Sequence, residues 1–144
     1  MSTAITTPPA VPAAQYGGLT HHPFAVRTLL DQARRGLLDA EYAAHPVDRY
    51  TLAHLAALRG AAAVLAARAQ PRRRSRPTSA WVLLATVAPE LAEWSAYFAA
   101  TSATRSAAQA GIRHLVTTRD ADDLVRQAGA FLILAQHAAS RSAR

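Results

Sequence analysis

The 144-residue chain has no cysteine. That excludes disulfide scaffolds, thiolate metal sites and cysteine nucleophiles, and it fits a reducing compartment. Lysine is also missing, so all 16 basic residues are arginine. Aromatic residues are scarce, at 6% against 51% hydrophobic overall. Alanine therefore carries much of the apolar count, and alanine is the strongest helix former. No run shows strand-like alternation, and no segment repeats at a period of 20–50 residues. The glycine-rich phosphate loops, HExxH, GxSxG and calcium-loop signatures do not occur. The uncharged stretches 77–89 and 127–140 are too short to cross a bilayer, so a membrane partner is not expected.

The length predicts one domain, burying roughly 68% of the unfolded surface without metal or disulfide support. Residues 1–20 have neither a basic start nor an apolar core of secretory type. Their Pro, Ala, Thr and Gly content reads as a disordered leader, with the folded unit over 21–140. The protein is expected in the cytoplasm. Sixteen arginines against nine acids give a net charge of +7 and a pI near 11.2.

The periodicity predicts an all-α protein, an antiparallel bundle of four or five helices. A first helix starts at Pro23 and runs to about Tyr42, with Val26, Leu29, Leu30, Ala33, Leu37 and Ala40 on its inner face. Gly36 interrupts it and marks a place of close helix approach. A second helix runs from Pro46–Asp48 to about Ala69. Its main stripe is Val47, Tyr50, His54, Leu58, Ala61 and Leu65; a second stripe of small residues is Ala53, Ala57, Gly60 and Val64. The segment 70–78, QPRRRSRPT, is a loop bounded by prolines. Thr78 or Ser79 caps a third helix whose sequence, AWVLLATV, is apolar nearly all round and so predicts burial.

Pro89 opens a fourth helix, with Glu90 and Glu93 at its positive end. Leu91, Trp94, Ser95 and Phe98 face inward, and Gly111 stops the pattern. Thr117 or Thr118 caps the last helix. Ala121, Leu124, Val125, Ala128, Phe131, Leu132 and Ala135 form its core face, leaving Ile133 outside as a candidate dimer contact. Trp81, Trp94, Tyr97 and Phe98 read as core or dimer anchors.

Several groups bear on chemistry. Arg72, Arg73, Arg74 and Arg76 can bind phosphates of nucleic acid or an acidic protein; no aromatic interleaves them to stack bases. Arg113 and His114, between the last two helices, form a possible anion-binding edge. Asp120, Asp122 and Asp123 read as favourable charge at a helix start, with Arg119 pairing to Asp122 or Asp123. His21 and His22 have no further ligands at a metal-site spacing, so neither metal nor cofactor is expected.

The block RYTLAHLAALRGAAAVLAAR (Arg49–Arg68) resembles the second helix of HEPN domains. With PRRRSRPTSAW, APELAEWSAYFAA and RDADDLVRQAGAFL it is similar, in order, to one actinobacterial HEPN family over about residues 24–137. The resemblance implies a helical bundle, usually dimeric. The superfamily it resembles includes metal-independent endoribonucleases of toxin type, partners of nucleotidyltransferase-like proteins and members with no known activity; a structural or antitoxin-like interaction protein is a further alternative. RNA, nucleotide and a partner protein are all implied ligands.

RNase members carry Arg-x(4–6)-His, and Arg49 and His54 match that spacing. The imidazole would move a proton at a ribose hydroxyl, and the guanidinium would hold phosphate. Helical geometry opposes the pairing. Five residues at 3.6 per turn put the two side chains about 140° apart. His54 then lies on the Tyr50–Leu58–Leu65 stripe and Arg49 nearly opposite the core. Active members usually have a polar residue after the motif arginine, where this chain has Tyr50.

Overall fold

A computed structural model describes residues 23–68 and 79–141. Five α-helices form the bundle: α1 (Pro23–Tyr42), α2 (Pro46–Ala67), α3 (Ala80–Val87), α4 (Ala92–Gln109) and α5 (Thr118–Arg141), with short 3-10 turns at Pro89–Leu91 and Arg113–Leu115. No strand occurs among the described residues. The leader and the arginine segment 70–78 lie outside them.

Local chemistry sets the helix ends. Ser79 caps α3 by accepting from the Trp81 amide. At the start of α5, Thr117 Oγ1 accepts from the Asp120 amide while Asp120 Oδ2 accepts from the Thr117 amide, each at 3.0 Å. This reciprocal box satisfies two otherwise orphaned N–H groups. Gly111, at φ 106°, turns the chain after α4 in a conformation open to glycine.

Helix α2 is the axis of the bundle, and all four other helices pack on it. Its buried positions are mostly small: Ala53, Ala56, Ala57, Gly60, Ala61, Ala63, Val64 and Ala67. The bulk comes from its neighbours, as Trp81, Leu84, Leu91, Phe98, Leu124, Phe131 and Leu132 close over it. Both α2 stripes of the sequence reading are packed: Val47, Tyr50, His54 and Ala61 of the first are buried, as is all of the second. The small stripe is buried, while Leu58 and Leu65 are only half-buried. A narrow helix lets backbones approach; a Cβ at Gly60 would stand 2.5 Å from Leu132 Cδ2. At Gly36 the same test finds only ordinary contacts, 3.5 Å or more, from Arg59 and Ala56. The close approach expected at Gly36 is present, with Ala56 Cα of α2 3.9 Å from where its Cβ would stand, and Gly60 is tighter still, against the Leu132 side chain.

Among the described residues, α2 also has the length and apolar character to cross a bilayer. Here 56% of that apolar window is buried against the other helices. The sequence reading, which counted only uncharged runs, missed this helix because Asp48, Arg49 and Arg59 interrupt it.

Trp81, Trp94, Phe98 and Phe131 form one aromatic cluster joining α3, α4 and α5. Trp81 and Phe98 stack at 5.0 Å, and Phe98 meets Phe131 at 5.2 Å. Such pairs each add roughly 0.5–1.5 kcal/mol beyond area burial. The expected burial of all of α3 does not hold: Val82 is 57% exposed. Only Trp81 and Leu84 face the core, because α3 has neighbours on one side. Pro89 opens a 3-10 turn, and α4 begins at Ala92.

Candidate functional site

The position of His54 decides the candidate catalytic pair. It lies in the middle of α2, on the side facing α3 and α4, and is 1% exposed. Its ring meets Trp81 and Phe98 edge-on at centroid distances of 5.8 and 6.1 Å. Nε2 donates to the Phe98 carbonyl at 3.1 Å, with Ser102 Oγ at 3.5 Å. A carbonyl only accepts, so the proton sits on Nε2 and Nδ1 carries a lone pair. Nδ1 is buried and has no hydrogen-bond partner. Burial holds the imidazole pKa below 6.5, the Phe98 carbonyl opposes this, and the Arg105 charge adds to the lowering. The ring is a neutral base shut in hydrocarbon, out of reach of a phosphodiester.

Arg49 lies at the first turn of α2 and faces elsewhere. Its Nε and one terminal nitrogen donate to the Ala43 carbonyl at 3.3 and 3.0 Å. The other terminal nitrogen forms an ion pair with Asp122 of α5. The guanidinium therefore ties the α1–α2 turn to the start of α5. It is half-buried, not turned wholly from the core as the helical wheel implied. Within one chain the structure does not bring Arg49 and His54 together.

The basic residues also divide. Arg113 and His114 are exposed in the turn before α5. Arg72, Arg73, Arg74 and Arg76 lie outside the described residues. Arg119 does not take the expected acidic partners. Asp122 pairs with Arg49, and Asp123 with Arg126. Arg49 reaches Asp122 from another helix, while Arg126 meets Asp123 one turn along α5 itself.

One residue had no role assigned from sequence. Arg68, at the end of α2, donates to Val87 O and Ala138 O at 3.3 Å each and pairs with Glu90. It thus joins the closing turns of α3 and α5 to α2, supplying donors to helix-end carbonyls. Glu90 also faces Arg141 at 3.6 Å. The Arg68 hydrogen bond, with the Glu90 backbone amide, lowers the Glu90 pKa from 4.5. The only sequence signal was an arginine at a predicted helix C-terminus.

A polar seam runs beside His54. Tyr50 is buried one turn earlier on α2, with its phenol beside Thr104 and Thr101 of α4. Burial raises its pKa above 10.0, the two threonines oppose, and Asp120 adds to the rise. This buried phenol follows Arg49 where active members usually have a polar residue. Among the described residues no group of three or more His, Asp or Glu side chains has the arrangement of a metal site.

No curated protein and no solved structure matches the chain. A family model does match, that of the SAV_6107-like HEPN domain, over residues 40–136. The match covers about two thirds of the chain and takes in α2 to α5, the whole set of helices around His54. The chain belongs to the SAV_6107-like HEPN family.

Proposed function

We propose that this HEPN domain works by binding a protein partner, without cleaving RNA. The observation that carries the reading is the burial of His54, 1% exposed and bonded to Phe98, while Arg49 is engaged by Ala43 and Asp122. A general base needs hydrogen-bond reach to the proton it removes, and this imidazole has none to solvent. Support for a protein ligand comes from the outer faces of α1 and α5, where Leu38, Tyr42 and Ile133 are 53%, 85% and 61% exposed. Contiguous apolar surface of this kind marks interaction sites.

The test is incubation of the full chain with mixed RNA in EDTA at high protein concentration. The expected result is intact RNA. Cleavage lost in both Arg49→Gln and His54→Gln, with both variants folded, overturns the reading and restores the endoribonuclease.

A second reading, RNA or nucleotide binding, draws on the +7 charge and the exposed Arg113 and His114. If Arg72, Arg73, Arg74 and Arg76 each contact a phosphate, single-stranded RNA affinity falls with salt at a log–log slope near about −3, at roughly −0.7 per contact. Replacing the four with Gln should then abolish that dependence. Unchanged retention removes the loop from the reading.

A further inference from the structure

We propose that the seam between α1 and α5 is a binding site for a free straight-chain carboxylic acid, with the chain laid along the seam and the carboxylate on Arg27. The site goes beyond the partner reading above and does not rest on it.

Two cavities lie end to end along this seam. The first, of about 460 Å³, is walled by Val26 and Leu30 of α1, Ala67 of α2 and Ala139 of α5. The second, of about 330 Å³, is walled by Leu37 and Leu38 of α1 and by Gly129, Leu132 and Ile133 of α5. Arg34 and Gln136 border both, so the two are continuous. Each is within the size of small-molecule sites, roughly 300–1,000 Å³.

The sequence builds this seam at helical spacing. Arg27, Leu30, Arg34, Leu37 and Leu38 fall on one side of α1, the side that meets α5. Ala67, Leu132 and Ala139 are buried beneath it, and Val26, Leu30 and Leu37 are half-buried. The side chains of Arg27, Arg34 and Gln136 are exposed above them. A Cβ at Gly129 would stand 3.5 Å from Leu37 Cδ2, so glycine there leaves the seam open beside Leu37. An apolar floor under a polar rim suits a ligand that has both characters.

Shape and charge select the occupant. Arg27 and Leu38 are about 16 Å apart along the helix axis, at about 1.5 Å per residue. A partner helix, about 10–12 Å across with its side chains, is too wide to enter cavities of this size and would only lie over the rim. An unbranched hydrocarbon chain is narrow enough to enter and long enough to run through both. Asp31 is paired with Arg34 at 3.2 Å. Arg27 makes no ion pair among the described residues, and the second cavity has no acidic residue in its wall. Two cations and one anion therefore border the seam, leaving one positive charge at Arg27 for a head group with one negative charge. The walls past Arg34 are apolar, which sets the tail toward Leu38 and Ile133.

The test is titration calorimetry of the full chain with saturated straight-chain acids below their micelle concentrations. One acid per chain is expected to bind. Affinity should rise by up to about fourfold for each methylene added, and level off once the tail reaches the end of the seam. Arg27→Gln should weaken the acid about two- to fivefold, the range of an exposed ion pair, and leave the alcohol of equal chain length unchanged. Leu38→Glu with Ile133→Glu changes two exposed positions, 53% and 61%, and should erase the gain from the longer tails. No binding at about 1 mM acid overturns the proposal. So does binding of several acids per chain, or an affinity indifferent to chain length. Acid and alcohol bound alike by wild type and Arg27→Gln overturn the assigned head-group contact. A chain that ignores free acids but sediments with vesicles of anionic phosphatidylglycerol reads a membrane surface instead, and the proposal falls.

Discussion

Acidifying the solution from about pH 8 should destabilise the fold through His54, by an amount set by how completely the ring is sealed. The folded-state pKa is depressed below 6.5 by burial. In the unfolded chain the imidazole returns to about 6.5. Between the two values the unfolded state holds one more proton than the folded state, so stability rises with pH across that window. The contribution is fully present above about 6.5 and is lost as pH falls toward the folded pKa. The limiting slope is about 1.4 kcal/mol per pH unit for one proton. One unit below the unfolded pKa, the loss reaches up to about 1.4 kcal/mol. The Arg105 charge beside the ring acts in the same direction. Urea melts at half-unit intervals from about pH 5.5 to 8, on wild type and His54→Gln, isolate this group, since the other titrating residues are common to both. A glutamine amide retains a donor for the Phe98 carbonyl and does not titrate. The difference between the two profiles should rise with pH and level off near about 6.5 to 7. Parallel profiles would show a solvated imidazole in the folded state, and with it the argument against catalysis falls.

Three further outcomes follow from the packing. Gly36→Ala should stabilise by about 0.5–1 kcal/mol in urea unfolding, because a helix former enters ordinary contact distance; a loss instead means that Arg59 and Ala56 cannot yield. Gly60→Ala should cost about 1–3 kcal/mol, since Leu132 must leave its position against α2, and Gly60→Ala with Leu132→Ala should be less than additive by double-mutant cycle. Arg68→Met should lower thermal stability, by roughly 1–3 kcal/mol for the stranded Val87 and Ala138 carbonyls; a variant that melts like wild type shows water serving those carbonyls.

The helices were legible because their ends are chemically marked. Pro23, Pro46, Ser79, Gly111 and Thr117 each stand at a predicted boundary and at an observed one. The inward face of α5 was legible too, since its large apolar residues recur at helical spacing and its outer residues do not. The two packed faces of α2 were legible as well, but not which of their residues lie deepest. A hydrophobic stripe is weighted by side-chain size, so Leu58 and Leu65 drew the eye, whereas the deepest positions belong to alanines that let neighbours in. For the candidate pair, the angle between Arg49 and His54 predicted different surroundings, and they have them. What the wheel could not show was the content of those surroundings. Ala43 O and Asp122 come from another turn and another helix, as do Trp81 and Phe98. Arg68 escaped attention for the same reason, because its partners are 19 to 70 positions away in sequence.

The arginine-only composition gains a structural meaning from these contacts. Arg49 and Arg68 each serve acceptors in different directions through separate nitrogens: Ala43 O and Asp122 for one, Val87 O, Ala138 O and Glu90 for the other. A planar guanidinium can do this because its five N–H groups are fixed in a fork, while a lysine ammonium projects its donors from a single atom. The two arginines sit at opposite ends of α2, the helix with the smallest side chains, where its own packing supplies least. Part of the positive charge is therefore committed to holding helices together and is not offered to a ligand. That weighs against reading net charge as nucleic-acid affinity, and it directs attention to the cations without acidic partners on the described surface. Arg27 is one of these, and what distinguishes it is its place at the rim of the apolar cavity between α1 and α5.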